Sequence, residues 1–178
     1  MTTYGNKPKY VVLTHTLLIL LAVGAAALAT SFVKAAGTSY YVDCSAPTNG
    51  SGTQASPWNN LATVNGTTFA AGDQILFKRG PTCIGQLWPK GSGVSGNPIT
   101  VSAYATGARP VINGNNAVAP VVTIKDQNYW TFDNLEIKNS TGLGLYVNGS
   151  NGADLYGFTL TNLYVHHGGM NDGQHLIL

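Results

Sequence analysis

Charged residues are scarce in this sequence. Lys and Arg number nine and Asp and Glu seven, so charged residues make up 9% of the 178, against roughly 25% in an average soluble domain. Hydrophobic residues still make up 44%, which excludes a disordered polyelectrolyte. The 22 glycines show no three-residue period, which excludes a collagen. The polar residues are mainly Asn, Thr, Ser and Gly, which favour turns and strands over helices.

A basic stripe is also missing. The formal net charge is +2, but three of the nine cations lie in the first 35 residues. The remaining chain has six cations and seven acids, a net charge of −1. Binding to nucleic acid depends on many phosphate contacts from Lys and Arg. We therefore predict no nucleic-acid partner.

Long apolar runs are confined to the N-terminus. Two lysines precede an apolar run from Tyr10 to Ala29, which is interrupted once and followed by small residues. This order is typical of a secretory signal peptide, and we predict that residues 1–35 are one, cleaved after Ala35. The alternative is an uncleaved anchor, because about 20 apolar residues span a bilayer. Membrane contact is expected only in that case; otherwise the protein is secreted or at the cell surface, in a periplasmic or extracellular location.

Cysteine is nearly absent. Cys44 and Cys83 are the only two, and the C-x₂-C spacing of a zinc site does not occur. In an exported chain they favour one disulfide, which would close a loop of about 40 residues and contribute about 3–4 kcal/mol. Two free buried thiols are the alternative.

Short runs rich in Val, Ile, Thr and aromatic residues recur along the rest of the chain, separated by Gly, Asn, Pro and Ser. Such runs predict strands. The predicted strands are residues 39–42, 74–78, 99–103, 111–112, 121–124, 130–132, 135–137, 143–147, 158–160, 163–165 and 176–178.

One helix is predicted, at residues 58–64. Ser56 is expected to be its N-cap with Pro57 in the first turn. Trp58, Leu61 and Ala62 would then share one face.

An internal repeat occupies the last third of the chain. Residues 131–137 match residues 159–165 at an offset of 28, and residues 122–124 match 145–147 at an offset of 23. Residues 176–178 begin what reads as a third unit. A period in the twenties with short strands and Asn-Gly corners is typical of a solenoid, in which each unit buries its inward side chains against its neighbours. Asn and Gly suit the left-handed backbone of sharp corners, and stacked Asn side chains can hydrogen-bond along the axis.

The sequence resembles a known family in five segments: residues 40–43, 56–58, 71–80, 91–101 and 109–114. They are similar to the opening coils of exported right-handed parallel β-helix proteins with the pectin-lyase-like fold, and the resemblance covers residues 38–178. That fold is shared by polysaccharide lyases and many glycoside hydrolases. The resemblance implies an all-β, right-handed parallel β-helix with a short N-terminal capping helix.

The resemblance also implies a domain organisation. Residues 36–98 would form the N-terminal cap and first coil, and residues 99–178 the following coils. Members of the family usually run longer, so we expect a chain truncated at its C-terminus, the N-terminal part of a larger protein whose catalytic coils lie downstream. The alternative is a small complete domain closed by dimerisation or by a partner chain.

The densest polar segment is residues 166–175, which contains three histidines and one acid. Imidazole and carboxylate groups in a loop after a strand suit proton transfer, so the catalytic candidates are His166, His167, Asp172 and His175. In strand geometry His166 and His167 would point to opposite faces. The alternative is that the histidines are corner residues that stack between coils.

A second candidate site lies on the strands around Glu136. Leu135 and Ile137 alternate inward, so Glu136 faces outward, with Asp133 close by as a possible carboxylate partner for hydrolysis. The repeat places Tyr164 one unit along at the Glu136 position. Glu136 and Tyr164 are the substrate-binding candidates, a carboxylate beside an aromatic ring; the alternative is a solvated surface charge.

Three functions remain open from the sequence. The first is action on an extracellular polysaccharide by lyase or glycoside hydrolase chemistry, which makes a polysaccharide the expected partner. The others are non-catalytic glycan binding or adhesion, and a purely structural surface solenoid, because a fold alone does not decide function. No cofactor is evident in the sequence and no metal motif is found; Ca²⁺ enters by the family resemblance alone.

Cleavage of the predicted signal peptide gives a direct test. The exported protein is expected to begin at Ala36, because the small residues up to Ala35 suit a signal peptidase. N-terminal sequencing of the exported protein checks this, and an exported chain that still begins at Met1 would show that the segment is an anchor.

Overall fold

The short β-branched and aromatic runs form strands. The computed structural model describes residue 1 and residues 36–169. The chain divides into two units, Met1–Lys34 and Ala35–Leu178, and the fold below is that of the second. Its strands are β1 (Ser39–Val42), β2 (Gln74–Lys78), β3 (Thr82–Ile84), β4 (Ile99–Tyr104), β5 (Val111–Asn113), β6 (Val122–Lys125), β7 (Trp130–Asp133), β8 (Glu136–Ser140), β9 (Leu145–Asn148), β10 (Phe158–Thr161) and β11 (Tyr164–Gly168). One short α-helix, α1 (Leu61–Gly66), and a 3₁₀ turn at Ser150–Gly152 complete it.

The strands belong to three parallel sheets. The first has the order β1-β2-β4-β7-β10, the second β11-β8-β5-β3, and the third pairs β6 with β9. The chain visits the sheets in turn and returns to each one coil further along. The result is a parallel β-solenoid of about three turns, and the prediction of a parallel β-helix is confirmed.

The repeat seen in the sequence is the register of the coils. Phe158 of β10 pairs with Trp130 of β7, and Tyr164 of β11 with Glu136 of β8. Both pairs have the predicted offset of 28. Val122 pairs with Leu145, the predicted offset of 23.

The core is a stack of inward side chains. Ile75, Val101 and Phe132 are neighbours in register on β2, β4 and β7, and all three are fully buried. In the second sheet Ile112 and Ile137 do the same. Burying such a side chain completely stabilises the fold by about 1.5–3 kcal/mol. Because each coil is covered mainly by the coils on either side, the stacking supplies most of the hydrophobic stabilisation.

Asparagine forms many of the corners. Within residues 36–169, six of the ten non-glycine residues with positive φ are Asn, a residue type that adopts the left-handed region at low cost. Asn134 and Asn162 occupy the same corner in successive coils, with φ of 62° and 51°. At another corner the Asn139 side-chain amide donates to Asn113 Oδ1 at 3.0 Å. This bond joins asparagines of adjacent coils, although Asn113 pairs in register with Lys138 rather than with Asn139.

The predicted helix exists, but its start was predicted wrongly. Asn60, rather than Ser56, is the N-cap, and its side chain accepts a hydrogen bond from the Thr63 amide at 2.9 Å. Trp58 cannot be helical because its amide donates to the Tyr41 carbonyl at 2.9 Å and its carbonyl accepts from Asp43 at 2.8 Å. These bonds hold Trp58 as an extension of the first sheet.

The buried face of α1 also differs from the prediction. It consists of Leu61 and Val64, whereas Ala62 is exposed. That α1 caps the end of the solenoid remains a prediction. No helix within residues 36–169 is long and apolar enough to cross a membrane.

One strand was missed in the sequence. β3 has only three residues, follows the Gly80-Pro81 turn and shows no apolar run. Its central residue, Cys83, points inward and forms a disulfide with Cys44, with their Cα atoms 5.3 Å apart. The bond ties the segment after β1 to the second sheet.

Trp130 and Trp88 differ in burial. Trp130 is fully buried, and its indole N–H donates to the Gly91 carbonyl at 3.0 Å. Trp88 is 41% exposed. The predicted signal peptide, the strand at 176–178, Asp172 and His175 lie outside the described residues.

Removal of the disulfide is expected to cost much of the stability. The bond joins residues 39 positions apart, and loop closure over this length contributes about 3–4 kcal/mol in the chain-entropy model. The Cys44→Ala/Cys83→Ala variant should therefore unfold at clearly lower urea concentration than the oxidised wild type. The wild type kept under reductant is the matched control and should behave like the double variant. Equal midpoints with and without reductant would contradict the prediction.

Candidate functional site

An outward-facing polar cluster lies on β8 and β11 of the second sheet. Side chains alternate along a strand, and Ile137 is fully buried, so its neighbours Glu136 and Lys138 face outward. The register places Tyr164 beside Glu136 and His166 beside Lys138. The outward direction predicted for Glu136 is therefore correct, and four polar or aromatic groups from two coils meet on one surface.

Glu136 is the centre of this cluster. Its Oε1 accepts from Lys138 Nζ at 3.0 Å and contacts His166 Nε2 at 3.1 Å. Within residues 36–169 its second oxygen, Oε2, has no hydrogen-bond partner. The Glu136 and His166 side chains are 21% and 18% exposed, so solvent reaches the pair only in part.

The neighbouring groups keep Glu136 ionised. Burial by itself raises the pKa of the Glu136 carboxyl, but hydrogen bonds from Lys138 and His166 and the charge of Lys138 outweigh it and lower the pKa. Glu136 is therefore a hydrogen-bond acceptor rather than a proton donor at neutral pH. This excludes Glu136 as a general acid in the described arrangement.

Tyr164 and His166 form an aromatic stack on the same surface. Their ring centroids are 4.2 Å apart and the planes differ by 22°. Tyr164 is 52% exposed, so one ring face and the edge remain open to solvent. An exposed ring with a fixed orientation is a suitable apolar surface for a ligand.

The two adjacent histidines do not lie on opposite faces. His167 has φ of 53°, at the left-handed corner that Asn139 occupies one coil earlier. This backbone turn brings the two imidazole rings together, with Nδ1 of His166 against Nδ1 of His167. The expectation of opposite faces held for strand geometry, which the left-handed backbone at His167 does not have. His167 lies at a corner, whereas His166 belongs to β11 and stacks on Tyr164 of its own coil.

Asp133 does not join Glu136. Its carboxylate accepts from Thr161 at 2.9 Å, Asn162 at 2.8 Å, Ser102 at 3.3 Å and Asn134 at 3.2 Å. These donors come from its own corner and from the coils on either side. Burial raises the pKa of Asp133, but the four hydrogen bonds outweigh it and lower the pKa. Asp133 is a link between three coils, and the carboxylate pair considered for hydrolysis is not formed here.

The described residues do not fit a Ca²⁺ site. Ca²⁺ takes six to eight oxygen ligands, several from carboxylates. Within residues 36–169 no group of three or more His, Cys, Asp or Glu side chains is placed to hold a metal. Asp133 is saturated by its neighbours, and Glu136 is bound to a lysine and a histidine.

The Glu136–His166 contact was missed in the sequence, because the two residues are 30 positions apart. The 28-residue repeat could have revealed this contact. The repeat places His166 beside Lys138, and Lys138 lies two residues after Glu136 on the same face.

Solved structures share this architecture. A GH136 lacto-N-biosidase from Eubacterium ramulus, as the selenomethionine derivative, is 26% identical with a TM-score of 0.65 over 73% of this chain. The pectate lyase Pel9A is 24% identical with a TM-score of 0.56 over 75% of this chain. The chain shares the β-helix fold of these carbohydrate-active enzymes. No protein-family model and no curated protein matches the sequence.

The likeness covers only part of each enzyme. The aligned region spans 27% of the lacto-N-biosidase chain and 34% of the pectate lyase chain. This chain therefore shares with the two enzymes the backbone fold of about three coils. The activity of either enzyme does not transfer with this likeness.

The role of Asp133 in linking coils predicts a stability change. Hydrogen bonds to a charged group contribute about 1.5–3 kcal/mol when shielded, and solvent reaches this site, so Asp133→Asn should cost about 1–2 kcal/mol. Urea unfolding at neutral pH measures the loss. Asp154→Asn is the matched control, since among the described residues that exposed carboxylate accepts only from Tyr156, at 3.3 Å.

Acid should remove the same contribution. The pKa of Asp133 is lowered in the folded chain, so its stabilisation is fully present above the unfolded-state value of about 3.9 and is lost as pH falls through the folded value. Below about pH 4 the stability difference between wild type and Asp133→Asn should shrink. A difference that stays constant down to pH 2 would contradict the role given to Asp133.

Proposed function

We propose that the protein is secreted and engages an extracellular polysaccharide through the outward face of the second sheet, as part of a carbohydrate-active enzyme of the lyase or glycoside hydrolase type. The observation that supports this most is the cluster of Tyr164, Glu136, Lys138 and His166 on adjacent coils. The fold shared with a lacto-N-biosidase and a pectate lyase adds weight to a carbohydrate ligand.

The chemistry of the cluster suits a sugar ring. The exposed face of Tyr164 offers an apolar surface for the C–H face of a pyranose. Glu136 Oε2 is available to accept a hydrogen bond from a sugar hydroxyl. The Lys138 ammonium has three N–H donors, of which one is used by Glu136. Successive coils repeat these positions at about 4.8 Å, so an extended polymer lying along the axis would meet equivalent positions of several coils.

A non-catalytic glycan-binding solenoid is the second candidate. It is favoured by the state of the two carboxylates: Asp133 is used between coils, and Glu136 is ionised and held by Lys138. A hydrolase of the common type needs two carboxyl groups across the scissile bond. A lyase needs a base and a cation for the uronate, and Lys138 is already paired.

Incubation with a panel of glycans tests the proposed function. The exported, full-length protein would be mixed with pectin, alginate and neutral glycans containing N-acetylhexosamine. Ultraviolet absorbance from an unsaturated uronate identifies a lyase, and new reducing ends without it identify a hydrolase. Binding without either product supports the second candidate, and neither binding nor product across the panel would overturn both.

Substitution of Tyr164 tests the location of the site. Tyr164→Ala should weaken glycan binding about 2- to 10-fold, the equivalent of the aromatic contact of about 0.5–1.5 kcal/mol. Tyr156→Ala is the matched control, because Tyr156 is 57% exposed but lies in the loop before β10, outside the cluster. Calorimetric titration with the glycan selected by the panel measures both. Equal losses in the two variants would place the binding site elsewhere.

A further inference from the structure

Three side chains of the cluster form a continuous hydrogen-bonding chain. Glu136 Oε1 contacts His166 Nε2 at 3.1 Å, and His166 Nδ1 contacts His167 Nδ1. The order is carboxylate, inner imidazole, outer imidazole. Nε2 of His167 is the end of the chain: His167 is exposed, and this nitrogen has no partner within residues 36–169.

An ionised Glu136 together with a neutral His166 ring determines where the protons sit, and the neutral ring is a premise of this inference. A carboxylate only accepts, so His166 must carry its proton on Nε2 to bond with Glu136. In the neutral ring Nδ1 of His166 is then an acceptor. His167 therefore carries its proton on Nδ1, which leaves the lone pair of Nε2 directed away from the other two groups.

We infer that Glu136, His166 and His167 form a proton-transfer site in which Nε2 of His167 is the general base for a hydroxyl group of a bound carbohydrate or a water. This inference rests on the proposed carbohydrate function and adds a division of roles to it. His167 is the catalytic residue, and Glu136 and His166 are positioning residues. The arrangement has the same logic as a carboxylate-histidine pair that orients a reacting group.

The proton transfer is balanced within the site. The lone pair of His167 Nε2 takes the proton, the O–H bond breaks, and its electron pair stays on oxygen as the nucleophile. His167 becomes an imidazolium whose Nδ1–H still donates to His166.

The other charged and titratable groups around the two rings are few. Within residues 36–169, β11 pairs only with β8, which contributes Glu136 and Lys138 to this face. On β11 itself the ring of Tyr164 stacks on His166. Lys138 holds Glu136 in its accepting state, and Asn113, beside Lys138 on β5, is uncharged.

Nitrogen-15 NMR of the imidazole rings tests the proton positions without any carbohydrate. In the full chain at neutral pH, His166 should be the Nε2–H tautomer and His167 the Nδ1–H tautomer. Glu136→Ala should abolish this preference at both rings, while the control Asp154→Ala should leave it unchanged. The inference is overturned if His167 carries its proton on Nε2, or if Glu136→Ala leaves both tautomers as they are.

Kinetics on the glycan selected by the panel test the catalytic role. His167→Gln should lower kcat by about 10²–10⁴-fold, the usual contribution of a general base, with little change in KM. His166→Asn should lower kcat less and alter its pH profile, and far-ultraviolet circular dichroism checks that both variants fold. Turnover by His167→Gln at the wild-type rate, or a glycan that binds but is never turned over, would overturn the role. A failure of all glycan binding would instead overturn the proposed function, and the NMR result would still decide the proton chain.

Discussion

The register between successive coils is the constraint on which the rest of this structure depends. Each strand pairs in parallel with the equivalent strand of the next coil, so every position acquires a neighbour of the same orientation at about 4.8 Å. Ile75, Val101 and Phe132 pack together only because they share one register. A shift by one residue would turn each inward side chain outward. The hydrophobic core, the corners and the outward cluster are all consequences of that alignment.

The same alignment explains why the chain has so few charges. Like charges at equivalent positions would be stacked closely in a parallel array, which is unfavourable. Three of the described carboxylates are used between segments distant in sequence. Asp133 accepts from donors in three coils, Asp43 pairs with Lys78 at 2.7 Å, and Asp126 accepts from the Ser150 hydroxyl at 2.8 Å. In this fold most acidic groups act as structural links, so an acid in the sequence is weak evidence for catalysis.

The cluster on β8 and β11 departs from that pattern. Glu136 and Lys138 are two residues apart on one strand, and the next coil adds an exposed tyrosine and an imidazole above them. The His167 corner takes the place that Asn139 has one coil earlier. A corner position that requires only a left-handed backbone conformation thereby carries an imidazole side chain. A group that can carry a proton thus lies at a corner where the coil before has an uncharged asparagine.

The sequence by itself determined the class of fold and much of its register. The offsets of 28 and 23 correspond to the pairing of Phe158 with Trp130 and of Val122 with Leu145, because in a solenoid the sequence period is also the spatial period. It also determined that Glu136 faces outward, since alternation with buried neighbours is a local property. The sequence did not reveal the short strand β3, which has no apolar run, or the N-cap of α1 at Asn60, because long-range backbone pairing decides both.

Only the tertiary structure decided the site. Whether Asp133 is a partner of Glu136 or a link between coils depends on Ser102, Thr161 and Asn162, which lie 28 to 31 residues away from it. The meeting of the two histidine rings depends on a left-handed backbone at His167, which sequence alternation does not reveal. Hydrogen-bond partners and proton positions are set by contacts between coils, and those contacts exist only in the folded solenoid.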